Sequence, residues 1–381
     1  MAKVTAREIA TQAEREALYA FRYKVYVSEL AMTDEADHER GWLYDDYDER
    51  CINYALFDGD EVVGSLRVIR MSEVKTLDPF IEKFSLAPAL AEFGPEPIVT
   101  TSRFMIADRL RNSMAIFRLL QKMWESATKF DIRLNYGDCS PHLVAFYERL
   151  GYRRYVDGFN DDAYGFKLPL LMIVRDNEFM RRVRSPFAAM NSDDGDDGEA
   201  RDWFTQTYPD YATLDTASFL STEVFFDLLA ARLADDPLHS VALLRGLDQD
   251  EAGRFLAKAA VVRFKPGNRI VEEGEHDRTI FAILKGVAEV RPKGGEASAL
   301  AVLGAGDTFG EIGFLTAAQR TADIVARTEG EALVLSAEFL DIFMRDEPTI
   351  AAKISLNLAR ELAGRLALAS EELAAMRQPR E

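Results

Sequence analysis

Residues 306–326 read GDTFGEIGFLTAAQRTADIVA, and they decide the fold of the C-terminal half. A Gly-Glu turn opens a short helix, so its backbone N–H groups should point at an anion, a preference that the helix dipole reinforces. Those N–H groups belong to Gly310, Ile312 and Gly313. Arg320 stands nine residues after Glu311 and can grip a phosphate in two places, whereas Glu311 can accept from a ribose hydroxyl. The stretch therefore predicts an anion-binding turn.

Short apolar runs separated by glycines surround this turn. The runs are Ala260–Phe264, Arg269–Glu272, Ile280–Leu284, Val287–Val290, Ala299–Leu303 and Thr321–Arg327. Strands at this spacing predict an antiparallel barrel or sandwich. A long amphipathic helix, roughly Pro348–Met376, is predicted to close the chain.

The turn resembles the phosphate-binding cassette of the cyclic-nucleotide-binding family, and residues 265–290, KPGNRIVEEGEHDRTIFAILKGVAEV, resemble the first strands of that family. The resemblance covers about residues 241–366 and implies a β-roll that binds cAMP or cGMP as an effector, with cAMP favoured. The implied site residues are Phe309, Gly310, Glu311, Ile312, Gly313, Arg320, Thr321 and Ala322. In this family the terminal helices form a lid and often a homodimer interface, so the C-terminal helix is expected to take one of these roles or simply to pack on its own barrel. A β-roll that has lost its ligand is the alternative.

The N-terminal half predicts a different fold. The stretch NSDDGDDGEARD at residues 191–202 concentrates like charge and predicts a flexible linker. Before it, helix-like and strand-like segments alternate, which indicates an α/β fold, with an early hairpin at Ile52–Phe57 and Glu61–Arg70. A strand at Ile98–Ile106 and a helix at Met114–Phe130 follow. The predicted organisation is a domain at 1–190, the linker, a helical connector at 203–240 and a domain at 241–381.

Residues 140–153, SPHLVAFYERLGYR, resemble the last signature of the GNAT acetyltransferase superfamily. The resemblance implies a mixed sheet, direct acyl transfer from a thioester to an amine, and Tyr147 as the acid that protonates the departing thiolate. In this superfamily a small-residue loop cradles the pyrophosphate of CoA. Here that loop has no glycine and supplies the predicted pantetheine contacts Arg109, Arg111, Asn112 and Ser113. The acyl donor is therefore expected to be an acyl carrier protein thioester or acyl-CoA, and the missing glycine favours the carrier.

Four further segments occur in the order and spacing seen in acyl-homoserine-lactone synthases and the related N-acyl amino acid synthases. They read FRYKVYVSEL at 21–30, YDDYDE at 44–49, VGSLRVIR at 63–70 and VTTSRFMI at 99–106. The matching acceptor-site positions are Arg22, Tyr26, Asp45, Asp48, Arg67 and Arg103. Opposite charges that are buried must be paired, so these residues predict a salt-linked wall of the acceptor pocket. Met32 and Thr100 depart from the lactone-synthase pattern and favour the N-acyl amino acid synthases.

The expected reaction moves an acyl group to a primary amine of a small molecule, an amino acid above all. Water near Thr100 and Ser102 would take the amine proton, with Arg103 beside them, and backbone amides around Phe104 and Ile106 would polarise the carbonyl. The alternatives are a cyclic-nucleotide-controlled protein lysine acetyltransferase and a non-catalytic sensor. For the charged residues of the predicted acceptor pocket, the alternative is a structural network that contacts no ligand.

Charge and composition exclude several other classes. The net charge of −18 argues against a nucleic-acid partner, although residues 101–190 are locally basic, with 15 basic and 10 acidic side chains. Two cysteines and four scattered histidines predict neither a disulfide framework nor a metal site. The sequence has no signal-like or membrane-spanning apolar run, so we expect a cytoplasmic protein with no transmembrane segment.

Overall fold

The computed structural model describes residues 4–29, 36–110, 113–190, 195–214, 237–256, 259–292 and 299–377. The chain divides into two compact units, Met1–Thr216 and Ala217–Glu381. In the described segments no helix is both long and apolar enough to cross a membrane, and no cluster of His, Cys, Asp and Glu is placed to hold a metal ion.

The N-terminal unit is built on a mixed eight-stranded sheet in the order β1-β2-β3-β4-β5-β8-β6, with β7 paired to β8. Its strands are β1 Thr5–Glu8, β2 Ile52–Asp58, β3 Glu61–Arg70, β4 Ile98–Ile106, β5 Leu134–Cys139, β6 Tyr152–Arg154, β7 Phe159–Asp161 and β8 Gly165–Ile173. Its helices are α1 Gln12–Tyr23, α2 Asp78–Phe84, α3 Ala87–Phe93, α4 Ile116–Lys129, α5 Val144–Leu150, α6 Asn177–Arg182, α7 Gly198–Thr207 and α8 Pro209–Leu214. The predicted α/β fold with a mixed sheet is confirmed.

Helices cover both faces of this sheet. Successive residues of a strand point to opposite faces of the sheet, so the contacts of Gly64 and Ser65 of β3 show which helix covers each face. A Cβ added at Gly64 would lie 3.0 Å from Cδ1 of Leu119, which places α4 on one face. Ser65 accepts a hydrogen bond from Arg22 of α1 on the other. We call these the α4 face and the α1 face.

A gap opens in the middle of the sheet between β4 and β5. The two strands pair in parallel only as far as Thr100 and Tyr136, although β4 continues to Ile106 and β5 to Cys139. On its other edge β4 carries a bulge, because Ser65 pairs with Met105 whereas Arg67 pairs with Ser102. The bulge holds Arg103 at φ +53°, a left-handed conformation that side chains rarely adopt. Strained backbone of this kind is common at functional sites.

The structure corrects the predicted linker at residues 191–202. Helix α7 begins within it, Asp197 caps that helix by accepting from the Ala200 N–H, and Ala200 and Phe204 are buried in the core. Three of its acidic side chains are ion-paired, Asp197 and Glu199 with Arg133 at 2.6 and 2.7 Å and Asp196 with Arg201 at 3.2 Å. The first unit therefore runs to Thr216 and includes the start of the predicted connector at 203–240. Residues 191–194 and most of the remaining connector, 215–236, lie outside the described residues.

The C-terminal unit contains two four-stranded antiparallel sheets, in the orders β10-β15-β12-β13 and β14-β11-β16-β9. Its strands are β9 Ala260–Phe264, β10 Arg269–Val271, β11 Thr279–Lys285, β12 Ala288–Arg291, β13 Ala301–Leu303, β14 Thr308–Phe309, β15 Asp323–Ala326 and β16 Gly330–Ser336. Its helices are α9 Pro237–Ser240, α10 Gln249–Leu256, α11 Glu311–Thr316, α12 Ala337–Asp346 and α13 Pro348–Arg377. The predicted β-roll is confirmed, and so is the long closing helix. Strands β14 and β16 were not predicted from the sequence.

Candidate functional sites

Five charged side chains from four segments meet on the α1 face. Nη1 of Arg22 donates to Oδ1 of Asp48 at 2.7 Å. Nη1 of Arg67 lies 2.6 Å from Oδ1 of Asp45 and 3.4 Å from Oδ2 of Asp48. Nη2 of Arg103 donates to Oδ2 of Asp45 at 3.2 Å. The structure thus brings together all five predicted charges in one continuous network.

Burial makes this network costly unless every charge is paired. Arg22 is fully buried and Asp48 is 1% exposed. Burial alone would raise the pKa of the Asp45 and Asp48 carboxyls, but the arginines outweigh it, so both pKa values are lowered. Nε of Arg22 donates to Oγ of Ser65 at 3.0 Å, and its Nη2 donates to Oδ1 of Asn53 at 2.5 Å. Both carboxylates are therefore ionised at neutral pH, and between them they bind three guanidinium groups.

Arg103 extends the network to two tyrosines. Its guanidinium donates to the phenol oxygen of Tyr164 and lies over the rings of Tyr26 and Tyr164, 5.4 and 5.2 Å from their centroids. The two rings meet edge to face at 5.3 Å. Predicted residue Tyr26 therefore joins the network, and Tyr164 is an addition that no sequence pattern indicated.

The predicted proton-transfer residues lie beside the gap between β4 and β5. Ser102 accepts a hydrogen bond of 2.9 Å from Nε of Arg67, which ties it to the network. Thr100, on the same face, is buried at the last paired position of β4. Ile106 is buried at the end of the strand. Ser102 thus lies at the gap, whereas Thr100 lies where β4 and β5 are still paired.

Tyr147 lies on the α4 face, opposite the charged network. Its ring is 6.4 Å from that of Phe104 on β4 and 5.4 Å from that of Tyr152 on β6. Burial raises the pKa of the Tyr147 phenol well above its ordinary value. A phenol that stays protonated can donate a proton but is a poor base. The environment therefore keeps Tyr147 in the protonated form that the predicted acid needs, although the raised pKa also makes that proton harder to release.

The predicted pantetheine loop is only partly available to a ligand. Arg109 is engaged by the β2–β3 hairpin, since its Nη1 lies 2.6 Å from Asp58 and its Nη2 lies 2.7 Å from Glu61. Ser113 donates to the Leu110 carbonyl at 2.6 Å in a turn that precedes α4. Arg111 and Asn112 lie outside the described residues. The charge of Arg109 is therefore already neutralised.

The second candidate site is the turn at residues 309–322 of the C-terminal unit. Arg320 is 4% exposed, and its guanidinium donates to the Gly310 and Thr279 carbonyls at 2.8 Å each and to Asp277 at 3.0 Å. Its Nε is buried and has no hydrogen-bond partner within the described segments. Gly310 has φ +85°, and a Cβ there would lie 2.6 Å from Nη1 of Arg320. A buried arginine whose Nε–H has no partner in the protein is suited to bind a phosphate ligand.

The other predicted residues of this turn surround Arg320. Phe309 is buried and stacks on Phe281 at 4.8 Å. Ile312 and Thr321 are exposed, Gly313 is buried and Ala322 is half-buried. Phe309 and Ile312 thus place apolar side chains in the turn that lies against Arg320.

Glu311, the predicted ribose ligand, is held by the C-terminal helix. Arg365 of α13 donates to Oε1 of Glu311 at 3.0 Å, to the Thr308 carbonyl at 2.5 Å and to Glu361 at 2.6 Å. Oγ1 of Thr308 also donates to Glu361 at 2.6 Å. A ribose hydroxyl at Glu311 would therefore meet Arg365. The sequence does not predict this contact, because 54 residues separate its partners and no local pattern indicates it.

Comparison with known proteins matches the two units to two families. Residues 17–173 match the family described as N-acyl amino acid synthase FeeM, and residues 261–347 match the cyclic nucleotide-binding domain.

Similar proteins share only part of the chain. Glutaminase 2 of Bradyrhizobium diazoefficiens is 33% identical over 35% of this chain and 21% of its own length. The CRP-like cAMP-activated global transcriptional regulator of Mycobacterium tuberculosis is 26% identical over 34% of this chain and 58% of its own. Among solved structures, Thermus thermophilus catabolite activator protein is 30% identical over 35% of this chain and 62% of its own, with a TM-score of 0.32. The chain thus spans less than two thirds of each of these proteins.

Proposed function

Because the chain carries an N-acyl amino acid synthase domain at residues 17–173 and a cyclic nucleotide-binding domain at 261–347, we propose that it is a cyclic-nucleotide-controlled N-acyltransferase. It moves an acyl group from a thioester to the primary amine of an amino acid, and cAMP is its effector. One observation carries the proposal. The buried arginine–aspartate network lies on one face of the gap between β4 and β5, whereas the protonated phenol of Tyr147 lies on the other.

The geometry supports a direct transfer. With the thioester carbonyl in the gap, backbone N–H groups beside the bulge at Phe104 stabilise its developing negative charge. The amine approaches from the α1 face, and water beside Ser102 and Thr100 takes its proton. The new C–N bond forms as the C–S bond breaks. Tyr147 then gives its proton to the departing thiolate.

The donor is an acyl carrier protein thioester in preference to acyl-CoA. CoA adds a pyrophosphate and a nucleotide phosphate that need close backbone contacts and free positive charge. The pantetheine loop offers no glycine, and Arg109 is already paired with Asp58 and Glu61. A carrier-bound pantetheine has a single phosphodiester, so it needs fewer backbone contacts and less free positive charge.

The direct test incubates the full chain with long-chain and short-chain acyl carrier thioesters, acyl-CoA and a panel of amino acids. N-acyl amino acids are detected by mass spectrometry and released thiol by colour, with and without cAMP and cGMP. We expect thiol release that requires an amino acid and responds to cAMP. Failure of every thioester and amine pair to react would leave a non-catalytic sensor, and acylation of peptide lysines alone would leave a protein acetyltransferase.

Arg365 is the proposed route from nucleotide to helix α13. Cyclic nucleotide at Glu311 competes with Arg365, so binding biases the position of the helix that carries it. We expect Arg365→Gln to bind cAMP at least as tightly as the wild type, while cAMP changes the rate of acyl transfer by less than about two-fold. Arg360→Gln, an exposed change on the same helix, should keep the full response. A full response in Arg365→Gln would rule out this route.

We also propose that helix α13 forms a homodimer interface. Its outer side shows Ala352, Leu356, Ala359, Ala363 and Leu366 at alternating spacings of four and three, all exposed. Leu356 and Leu366 are 50% and 69% exposed, and such a stripe is the seam of a two-stranded coiled coil. We expect a dimer by light scattering, and a monomer after Leu356→Glu with Leu366→Glu. A monomeric wild type would contradict the proposal, as would a dimer that survives both changes.

A further inference from the structure

A buried lysine lies on the far side of the gap from the arginine–aspartate network. Strands β5 and β8 pair as far as Cys139 and Leu168. Lys167 is the next residue of β8, and its Nζ donates at 2.8 Å to Oγ of Ser140, the residue that follows β5. Strand β5 has already separated from β4 there, because their pairing ends at Tyr136. The bond from Lys167 to Ser140 therefore lies beside the open gap.

The side chain of Lys167 lies on the α1 face of the sheet. Thr100 lies on that face with Ser102, and it pairs with Tyr136 of β5. Tyr136 in turn pairs with Leu171 of β8. An even number of positions separates Lys167 from Leu171, so both side chains point to the same face. Lys167 thus faces the side from which the acceptor amine is proposed to approach.

One tyrosine ring connects Lys167 to the network. The centroid of the Tyr164 ring lies 5.9 Å from Nζ of Lys167 and 5.2 Å from the guanidinium carbon of Arg103. The same ring meets that of Tyr26 edge to face. Lys167 is therefore separated from the network by a single aromatic side chain.

Lys167 is a buried cation that lacks a paired carboxylate. It is 8% exposed, yet no acidic side chain of the described segments forms an ion pair with it, and its hydrogen-bond acceptor is the neutral hydroxyl of Ser140. Its charge acts on Asp161 over a longer distance, but the Asp161 carboxylate is already bound by Lys83 and by backbone N–H groups of the β7–β8 turn. Buried charges are costly unless they are paired. The ammonium therefore has positive charge and N–H donors to offer to an anion.

We infer that Lys167 binds the carboxylate of the acceptor amino acid and thereby selects amino acids over simple amines. This inference rests on the proposed function and names the residue that recognises its acceptor. A bound carboxylate supplies the counterion that the protein itself does not provide, through a charge-assisted hydrogen bond. It also holds the amine, which is attached to the same carbon atom, beside the gap. Lys167 is thus a specificity-determining residue that takes no part in the chemical step.

The first test measures the stability of the full chain without substrates. Lys167→Met replaces the ammonium by an apolar group of similar length. Because the charge is buried without a counterion, the thermal unfolding midpoint of the N-terminal unit should equal or exceed that of the wild type. Lys83→Met is the matched control and should lower the midpoint, since Lys83 pairs with Asp138 at 3.5 Å and with Asp161 at 3.0 Å. A Lys167→Met midpoint as low as that of Lys83→Met would show a structural lysine and overturn the inference.

The second test compares acceptors that differ only in the carboxylate. Leucine and isoamylamine form one such pair, and phenylalanine and phenethylamine form another. We expect Lys167→Met to raise the KM for the amino acid by at least about ten-fold, the effect of losing a hydrogen bond to a charged group, with little change in kcat. The KM for the matching amine should change by less than about two-fold, because no carboxylate contact is lost. Each comparison is between the variant and the wild type with the same acceptor, so differences in amine reactivity cancel.

Unreactive acids report on the carboxylate contact alone. Isocaproate and hydrocinnamate keep the carboxylates of leucine and phenylalanine but have no amine. Each should inhibit the wild type in competition with its amino acid, and inhibition of Lys167→Met should be weaker by at least about ten-fold. Equal inhibition of the two proteins would overturn the inference.

The outcomes distinguish this inference from the function on which it rests. A wild type that transfers no acyl group to any amino acid contradicts the proposed function itself. An active wild type in which Lys167→Met impairs an amino acid and its matching amine equally overturns only the role of Lys167, because a carboxylate contact cannot affect an amine that has none.

Discussion

Replacing Asp48 by asparagine is expected to lower the free energy of unfolding of the N-terminal unit by about 3–5 kcal/mol, the usual cost of leaving a buried charge without its partner. Asp48 binds Arg22 at 2.7 Å and Arg67 at 3.4 Å, and neither guanidinium can turn to water. Asp46→Asn is the control, because Asp46 is exposed and lies two residues away in the same loop. It should change the free energy of unfolding by less than about 0.5 kcal/mol.

The measurement is urea unfolding of the full chain followed by tryptophan fluorescence. All three tryptophans, Trp42, Trp124 and Trp203, lie in the N-terminal unit, so the signal reports on that unit alone. An Asp48→Asn midpoint equal to that of Asp46→Asn would show that the buried network contributes nothing to stability.

The same prediction has a defined pH dependence. Because the native pKa of Asp48 is lowered, its stabilising effect is complete above the ordinary aspartate pKa and is lost as the pH falls through the native value. The difference between the wild type and Asp48→Asn should therefore be constant near neutrality and shrink below about pH 4. A difference that grows on acidification would contradict the assignment.

The sequence predicted the parts of both sites that local pattern or resemblance can carry. The hairpin and β4 appear within a residue of their predicted ends, because runs of apolar and β-branched residues and an Asp-Gly turn are local signals. Arg22, Asp48 and Arg67 could be grouped because the segments that carry them resemble those of N-acyl amino acid synthases, and the rule that buried charges must be paired then predicted their contact. The roles assigned to these residues stay predictions.

The missed features depend on distant contacts. Tyr164 reaches Arg103 across 61 residues, and Arg365 reaches Glu311 across 54. The acidic stretch at 191–202 was interpreted as a linker because its neutralising partner, Arg133, lies far away in sequence. Composition measures charge, whereas folding depends on where the opposite charge lies.

Removing the guanidinium of Arg320 should abolish nucleotide control. Arg320→Gln is expected to weaken cAMP binding by at least about 100-fold, since hydrogen bonds from a buried charged donor contribute about 1.5–3 kcal/mol each. The buried Nε has no partner among the described residues, so it is the donor that remains for a phosphate oxygen. Acyl transfer should then become insensitive to cAMP while its rate without nucleotide is retained.

Arg320 also supports the fold, so loss of binding must be separated from loss of structure. Its bonds to the Gly310 and Thr279 carbonyls join the turn to β11. Arg327→Gln is the control, because Arg327 is an exposed arginine near the end of β15 and pairs with Glu289. Calorimetry with cAMP and cGMP measures affinity, and hydrogen exchange of β11 and β16 reports whether the β-roll survives. Protected strands with undiminished cAMP affinity in Arg320→Gln would remove the nucleotide from this turn, and with it the proposed control of acyl transfer.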